Sequence, residues 1–390
     1  MRRFPYLTRA VWLLSLISLF TDLASEMLYP VMPLYLKSIG FSVLLIGVLE
    51  GVAEATAGLS KGYFGQWSDR LGRRVPFVRW GYGLSALTKP MLAVLVAPWW
   101  VFLARALDRL GKGLRTGARD ALLSDETTPE NKGKVFGFHR SMDTLGAVFG
   151  PTVALLWLAA RPGQFRPLFL LAFGPGVLAI GITFLLKERR TEPSTRPLRP
   201  FWASFGYWRV ASPAYRQVVG ALLVFALFNS SDAFLLLLAR QRGLSEAAVI
   251  GLYILYNAVY VLAAWPAGHL ADRLGPRRLL VGGLLVFAAV YGGVALARGW
   301  WAFGALFALY GVYAASTEGV AKAWVSNLCA KADTGAALGT LAGLSSLAAL
   351  GASVGAGLLW QLAGPGWTFG VAAAAALAVA GYLATRRPAA

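Results

Sequence analysis

The chain has 390 residues, 57% of them hydrophobic and 14% charged, with a formal net charge of +19 and a mean hydropathy of +0.59. A soluble globular domain averages about 45–50% apolar and about 25% charged residues, so this composition excludes an ordinary soluble domain and indicates a membrane protein. The positive charge does not indicate a nucleic-acid binder, because the lysines and arginines cluster at the ends of apolar runs.

A membrane-spanning helix needs about 20 apolar residues, and twelve such runs follow one another in order. They cover 10–37, 43–64, 76–97, 99–121, 135–160, 167–187, 217–239, 246–268, 279–297, 300–322, 336–361 and 367–385. Helix breakers separate them, among them Gly40, Pro76, Pro98, Pro129, Pro162, Gly243, Gly299 and Gly366. Trp99, Trp100, Trp300, Trp301 and Trp367 fall at predicted ends, where interfacial aromatic residues anchor spans. The first run is too long for a signal-peptide core and carries Asp22 and Glu26, so it reads as a span.

With a cytoplasmic N-terminus, one side collects Arg2, Arg3, Arg9, Arg70, Arg73, Arg74, Arg79, Arg273, Arg277, Arg278, Arg386 and Arg387. The other side keeps only Lys37, Arg161, Arg166, Arg240, Arg242 and Arg298. Positive charge stays inside, which predicts both termini in the cytoplasm. The basic, proline-rich stretch 188–216 reads as a cytoplasmic linker between bundles at 1–187 and 217–390, with a short helix in the headgroups.

Charge inside a span is costly, about 2.5–3.5 kcal/mol on insertion scales, so it marks the bundle interior or a cavity. Span 1 holds Asp22 and Glu26, one turn apart, and span 2 holds Glu50, Glu54 and Lys61. Lys89 lies within span 3. In span 4, Arg105, Asp108, Lys112, Arg115 and Arg119 form one helical stripe, with Arg109 beside it. Span 5 adds His139, Arg140 and Asp143, span 7 Asn229 and Asp232, and span 10 Glu318 and Lys322. Glu50, Glu54 and Lys61 read as structural ion pairs, His139 as a packed residue, and Arg115 and Arg119 as side chains snorkelling to lipid phosphate. Asp22, Glu26 and Arg105 sit deep within their spans.

Between spans 2 and 3 the chain reads Gly65-Gln-Trp-Ser-Asp69-Arg70-Leu-Gly72-Arg73-Arg74, expected as a loop. A near-copy, Gly268-His-Leu-Ala-Asp272-Arg273-Leu-Gly275-Pro276-Arg-Arg, falls between spans 8 and 9. One signature placed identically in both halves of an apolar chain implies duplication of a membrane-embedded unit.

These two segments resemble the signature loop of the major facilitator superfamily, Gly-x-x-x-Asp-(Arg/Lys)-x-Gly-(Arg/Lys)-(Arg/Lys), and the resemblance extends over essentially the whole chain. The first copy matches at every position; the second has Pro276 where the first has Arg73. The resemblance implies an all-α fold of twelve transmembrane helices in two pseudo-symmetric six-helix bundles, working by alternating access. It implies a gating role for the first loop, with Asp69 facing a helix N-terminus, where the helix dipole contributes about 0.3–1 kcal/mol. Arg105 to Gly113 resembles the family's span-4 motif Arg-x-x-Gln-Gly-x-Gly, with Asp108 in place of the Gln and Arg109 in place of the first Gly. Gly146-x-x-x-Gly150-Pro151 resembles the antiporter motif of span 5; small residues let helices approach closely and the proline opens a hinge.

The expectation is therefore a monomeric secondary transporter of the cell inner membrane that exports a small organic molecule in exchange for protons. Asp22, Glu26, Arg105, Asp108, Arg109, Lys112, Asp143, Asp232 and Glu318 are its candidate cavity residues. The alternative is uptake of an anionic solute held by Arg105, Arg109 and Lys112; a sensor or assembly protein on the same fold is the outsider. No nucleotide-binding motif and no catalytic constellation is present in the sequence, and one cysteine with two histidines excludes an internal disulfide and suggests no metal site. No cofactor is expected.

Overall fold

The computed structural model describes residues 7–127, 132–188, 206–329 and 333–385, except the side chains at 69, 132–134, 137, 265, 272 and 335. Among the described residues there is helix and no strand. In chain order the helices are α1 (Arg9–Leu28), α2 (Met32–Ser38), α3 (Val43–Leu71), α4 (Val75–Val94), α5 (Pro98–Asp125), α6 (Lys132–Ala160) and α7 (Phe165–Thr183). Then follow α8 (Tyr207–Val210), α9 (Pro213–Ala226), α10 (Ala233–Gln241), α11 (Glu246–Leu274), α12 (Pro276–Leu296), α13 (Gly299–Ser326), α14 (Thr334–Ala363) and α15 (Pro365–Thr385). With α1–α2 and α9–α10 each counted as one interrupted span, and the four-residue α8 set aside, these are the twelve expected.

Local chemistry sets the boundaries. Thr8, Ser212 and Ser245 accept hydrogen bonds from the amides of Val11, Tyr215 and Ala248, capping α1, α9 and α11. Gly40 and Gly243 turn the chain from α2 into α3 and from α10 into α11 at φ of 92° and 93°, a left-handed conformation that favours glycine. They are spaced as far apart as Asp69 and Asp272, so the repeat extends to backbone geometry.

Spans 1 and 7 are not the continuous helices expected. The first breaks over Tyr29–Val31, where Pro30 has no amide to continue the ladder. The second breaks between Ala226 and Ala233, where Asn229, Ser230, Ser231 and Asp232 offer side chains that compete with backbone pairing. The expected loop at 65–74 is also mostly helix. Nothing in Gln66–Leu71 breaks α3, which ends only where Gly72 takes a φ of 59°.

Eight helical stretches are long and apolar enough to cross a membrane by length and composition. α4 and α5 are not among them because they carry charge, nor is α13, diluted by Gly, Ser, Tyr and Trp. Large apolar side chains lie exposed along the helices: Leu262 is 76% exposed and Leu296 82%. A soluble monomer does not leave such a surface uncovered, whereas a membrane-spanning one does. Trp99, Trp301 and Trp367 stand exposed at the starts of α5, α13 and α15.

Contacts divide the described residues into two units, one within 1–35 and 56–201, the other within 36–55 and 202–390. In the first, α1 packs on α6 and α7, and α4 packs on α5 and α7. In the second, α9 packs on α14 and α15, and α12 on α13 and α15. Span for span, the pairings are the same. The opening of α3 counts with the second unit, where Gly51 and Gly357 leave room for Leu350 and Leu44. Of the linker 188–216, where a short interfacial helix was expected, the described part contains the four-residue α8; residues 189–205 lie outside the described residues.

Candidate functional site

The site in the first unit depends on two close helix approaches. α4 and α5 meet at Gly81 and Gly111: a Cβ on Gly111 would lie 2.6 Å from the Gly81 carbonyl oxygen. α1 and α6 meet at Gly146 and Gly150, where added Cβ atoms would lie 2.6 Å from the Leu19 oxygen and 2.7 Å from the Leu23 oxygen. The antiporter-like motif thus has a packing role, and α6 runs through Pro151 without interruption.

The first approach brings Lys89 of α4 to Asp108 of α5, with Nζ 2.7 Å from Oδ1 and both residues buried. Ser85 and Thr88 also donate to Asp108 Oδ1, and Lys89 Nζ lies 3.4 Å from Ser25 Oγ on α1. A buried carboxylate needs such pairing. Asp108 is therefore committed to an ion pair.

The second approach sets Asp22 and Glu26, half-buried on α1, opposite the α5 stripe. One cavity is lined by Asp22, Ser25, Glu26, Tyr29, Ser85, Arg105, Asp108, Arg109, Lys112 and Arg115. Asp22 interacts electrostatically with Glu26, Asp143, Arg115 and Lys112. Arg105, Arg109 and Arg115 are buried, whereas Lys112 is exposed.

Arg115 corrects the sequence reading. It does not snorkel to lipid but sits buried with its guanidinium carbon 4.5 Å over the Tyr82 ring. Arg119 turns inward as well, donating to Ser18 Oγ at 3.0 Å and to Asp120 Oδ1. Gly81 is the cause: α4 approaches α5 so closely there that the stripe faces Tyr82. Lys61 pairs with Asp120 at 3.8 Å.

The remaining candidates lie elsewhere. Asp143 is buried on α6, 3.7 Å from the Nε2 of His139, whose other ring nitrogen is 3.4 Å from Ser15 Oγ. Asp232 and Glu318 belong to the second unit. Tyr310 donates to Asp232 Oδ1 at 2.7 Å within a cluster that includes Tyr256, Tyr291 and Tyr313. Tyr260 donates to Glu318 Oε2 at 3.2 Å.

In the signature segment, Gly65 lies against Gly117 of α5, whose added Cβ would come within 2.8 Å of the Gly65 Cα. Arg74 pairs with Asp125, and both carboxylate oxygens of Glu188 accept from the Arg74 and Val75 amides at 3.0 Å, closing the start of α4. Arg70, Arg73 and, in the second copy, Arg273 are exposed. The side chains of Asp69 and Asp272 lie outside the described residues.

Sequence reasoning missed Tyr82, Ser85 and Ser25 as parts of this site, whereas Tyr29, which follows Asp22 and Glu26 on span 1, does line the cavity. A polar residue at the depth of Lys89 was the available signal, but its partner becomes visible only when α4 and α5 are placed together.

Comparison with known proteins agrees with this architecture. The Major Facilitator Superfamily family model matches residues 14–253 and 217–390. An uncharacterized MFS-type transporter of Methanocaldococcus jannaschii is 32% identical, over 93% of this chain and 91% of its own. Multidrug resistance protein MdtG of Serratia proteamaculans is 26% identical over 75% of this chain and 72% of its own. In structure, a bacterial homolog of the human lysosomal transporter Spinster superposes with a TM-score of 0.75 at 16% identity, covering 98% of this chain and 95% of that one.

Proposed function

The chain belongs to the Major Facilitator Superfamily, as a multi-pass membrane transporter, and on that premise we propose that it carries a small acidic solute inward together with a proton. The observation that carries this reading is the charge balance of the cavity in the first unit. Arg105, Arg109, Lys112 and Arg115 line it with Asp22, Glu26 and Asp108, and Asp108 is already matched by Lys89. The cationic side is in excess, so a carboxylate, phosphate or sulfonate group is attracted there and an organic cation repelled. Asp22 and Glu26, the carboxylates not tied to Lys89, are the proton carriers.

Export by proton exchange is the second reading, supported by the name of the MdtG relative and by the resemblance of Gly146–Pro151 to the antiporter motif. The two differ in sign. Exchange requires solute and proton to compete for the site; cotransport requires them to bind together. Solute binding to the purified full chain, measured at several pH values with organic acids and organic amines, separates them. Acids that bind better as pH falls support cotransport, and amines that bind better as pH rises support exchange.

The Gly65–Arg74 segment acts as the gate in this scheme, with Asp69, Arg70, Gly72, Arg73 and Arg74 as its working residues and Asp272 and Arg273 as the lesser copy. Asp143, Asp232 and Glu318 are secondary candidates for proton or solute contact. The protein works as a monomer in the cell membrane with bundles at 1–187 and 217–390 and both termini cytoplasmic. A reporter fusion after residue 130 would read the cytoplasm and one after residue 163 the outside, and a reversed pattern would refute that topology.

A further inference from the structure

Arg115 differs from its neighbours on the α5 stripe. It is 4% exposed, and its cation rests on the face of Tyr82. Its Nε and Nη1 are buried and take no hydrogen bond among the described residues. A ring face stabilises a cation but accepts no in-plane N–H donor, and buried donors left unpaired cost free energy. The side chain thus lines the cavity with donor capacity unspent.

Across that cavity, Asp22 is a carboxylate whose field reaches Arg115. The enclosed space is about 20 Å³, room for about one water molecule. An acidic group therefore reaches Arg115 only as the side chains lining this space, Asp22 among them, move apart.

We propose that Arg115 is the anion-binding residue of the cavity and Asp22 its internal counter-ion, so that a proton arriving on Asp22 releases the guanidinium to the acidic group of the solute. This deepens the anion reading above and rests on it. The proton and the anion then bind cooperatively, because each removes the cost that the other would meet alone. Every helix packed on α1 brings charge to bear on Asp22 or is accounted for. Glu26 shares its helix; α5 presents Lys112 and Arg115, with Arg105, Arg109 and Asp108 further along the stripe. α6 presents Asp143, with His139 and Arg140 one turn earlier. α4 presents Lys89, engaged by Asp108, and α7 carries charge only at Arg166, in its first turn. Lys112 is exposed and water-screened, whereas the Arg115 interaction is made in low dielectric and is the stronger.

Sulfate tests this, since it stays fully ionised between about pH 5 and 8 and any pH effect belongs to the protein. Its affinity is read from thermal stabilisation of the full chain in detergent. In the unaltered protein, affinity should rise as pH falls, by up to about tenfold per pH unit for one linked proton. Asp22→Asn should bind at pH 8 as tightly as the unaltered protein at low pH, and lose the pH dependence. Arg115→Gln should lose binding at both pH values, with Arg115→Lys keeping part of it. If Asp22→Asn retains the full pH dependence, or a folded Arg115→Gln keeps full affinity, the proposal is wrong; where Arg115→Gln does not fold, Asp22→Asn decides. Binding of equal strength at all pH values would overturn the linkage and leave the anion reading standing. No stabilisation at any pH would overturn both.

Discussion

Lys89 and Asp108 form a buried ion pair between neighbouring helices, Nζ to Oδ1 at 2.7 Å. Neither residue can leave the bundle interior, and each neutralises the cost of burying the other. Replacing Asp108 by Asn strands the ammonium, and breaking such a pair costs about 3–5 kcal/mol. Lys89→Met should cost a similar amount. The double replacement Lys89→Met with Asp108→Leu should recover most of the loss, because burying two apolar groups requires no partner. Melting in detergent checks this; losses that simply add in the double variant would mean the two residues are not coupled.

Gly146 and Gly150 set the depth at which α1 meets the cavity. Gly146→Ala places a methyl group 2.6 Å from the Leu19 oxygen, an overpacking that costs about 1–3 kcal/mol. It should also displace Asp22 and weaken transport. Gly370→Ala, with nothing within 4 Å of its added methyl, should be neutral or stabilising by up to about 1 kcal/mol through helix propensity. Equal melting temperatures for the two variants would remove the packing role given to the antiporter-like motif.

The two signature segments should differ in weight. Asp69→Asn keeps the shape and removes the charge, so expression should be near normal and turnover lost. Asp272→Asn should be milder, since Pro276 stands where the first copy has Arg73. Transport assays on matched amounts of protein decide it, and equal losses would contradict a dominant first gate.

Much of this architecture was legible in residues alone. The paired signatures at Asp69 and Asp272 revealed the duplication, and the turns at Gly40 and Gly243 follow the same spacing. Asp22, Glu26, Arg105, Arg109 and Lys112, singled out by charge in apolar runs, do line one cavity. What stayed hidden depends on distances between helices. The fate of Arg115 turns on Gly81, which lets α4 approach closely enough for Tyr82 to cover the guanidinium; by position alone it resembles a residue reaching for lipid. Likewise the breaks in spans 1 and 7 leave no gap in hydropathy, because Pro30 and the Asn229–Asp232 run interrupt hydrogen bonding without ending the apolar pattern.

The most direct test is the sign of proton movement during transport. Full-length protein would be reconstituted into vesicles containing a pH-sensitive dye, and a panel of small carboxylates added outside at equal pH, with vesicle charge compensated. Entry of the recognised solute should acidify the interior. That signal should vanish in Asp22→Asn and Glu26→Gln while solute binding survives, and Arg105→Ala should impair both. An interior that turns alkaline as solute enters, or acidification undiminished in both neutralised variants, would contradict the account.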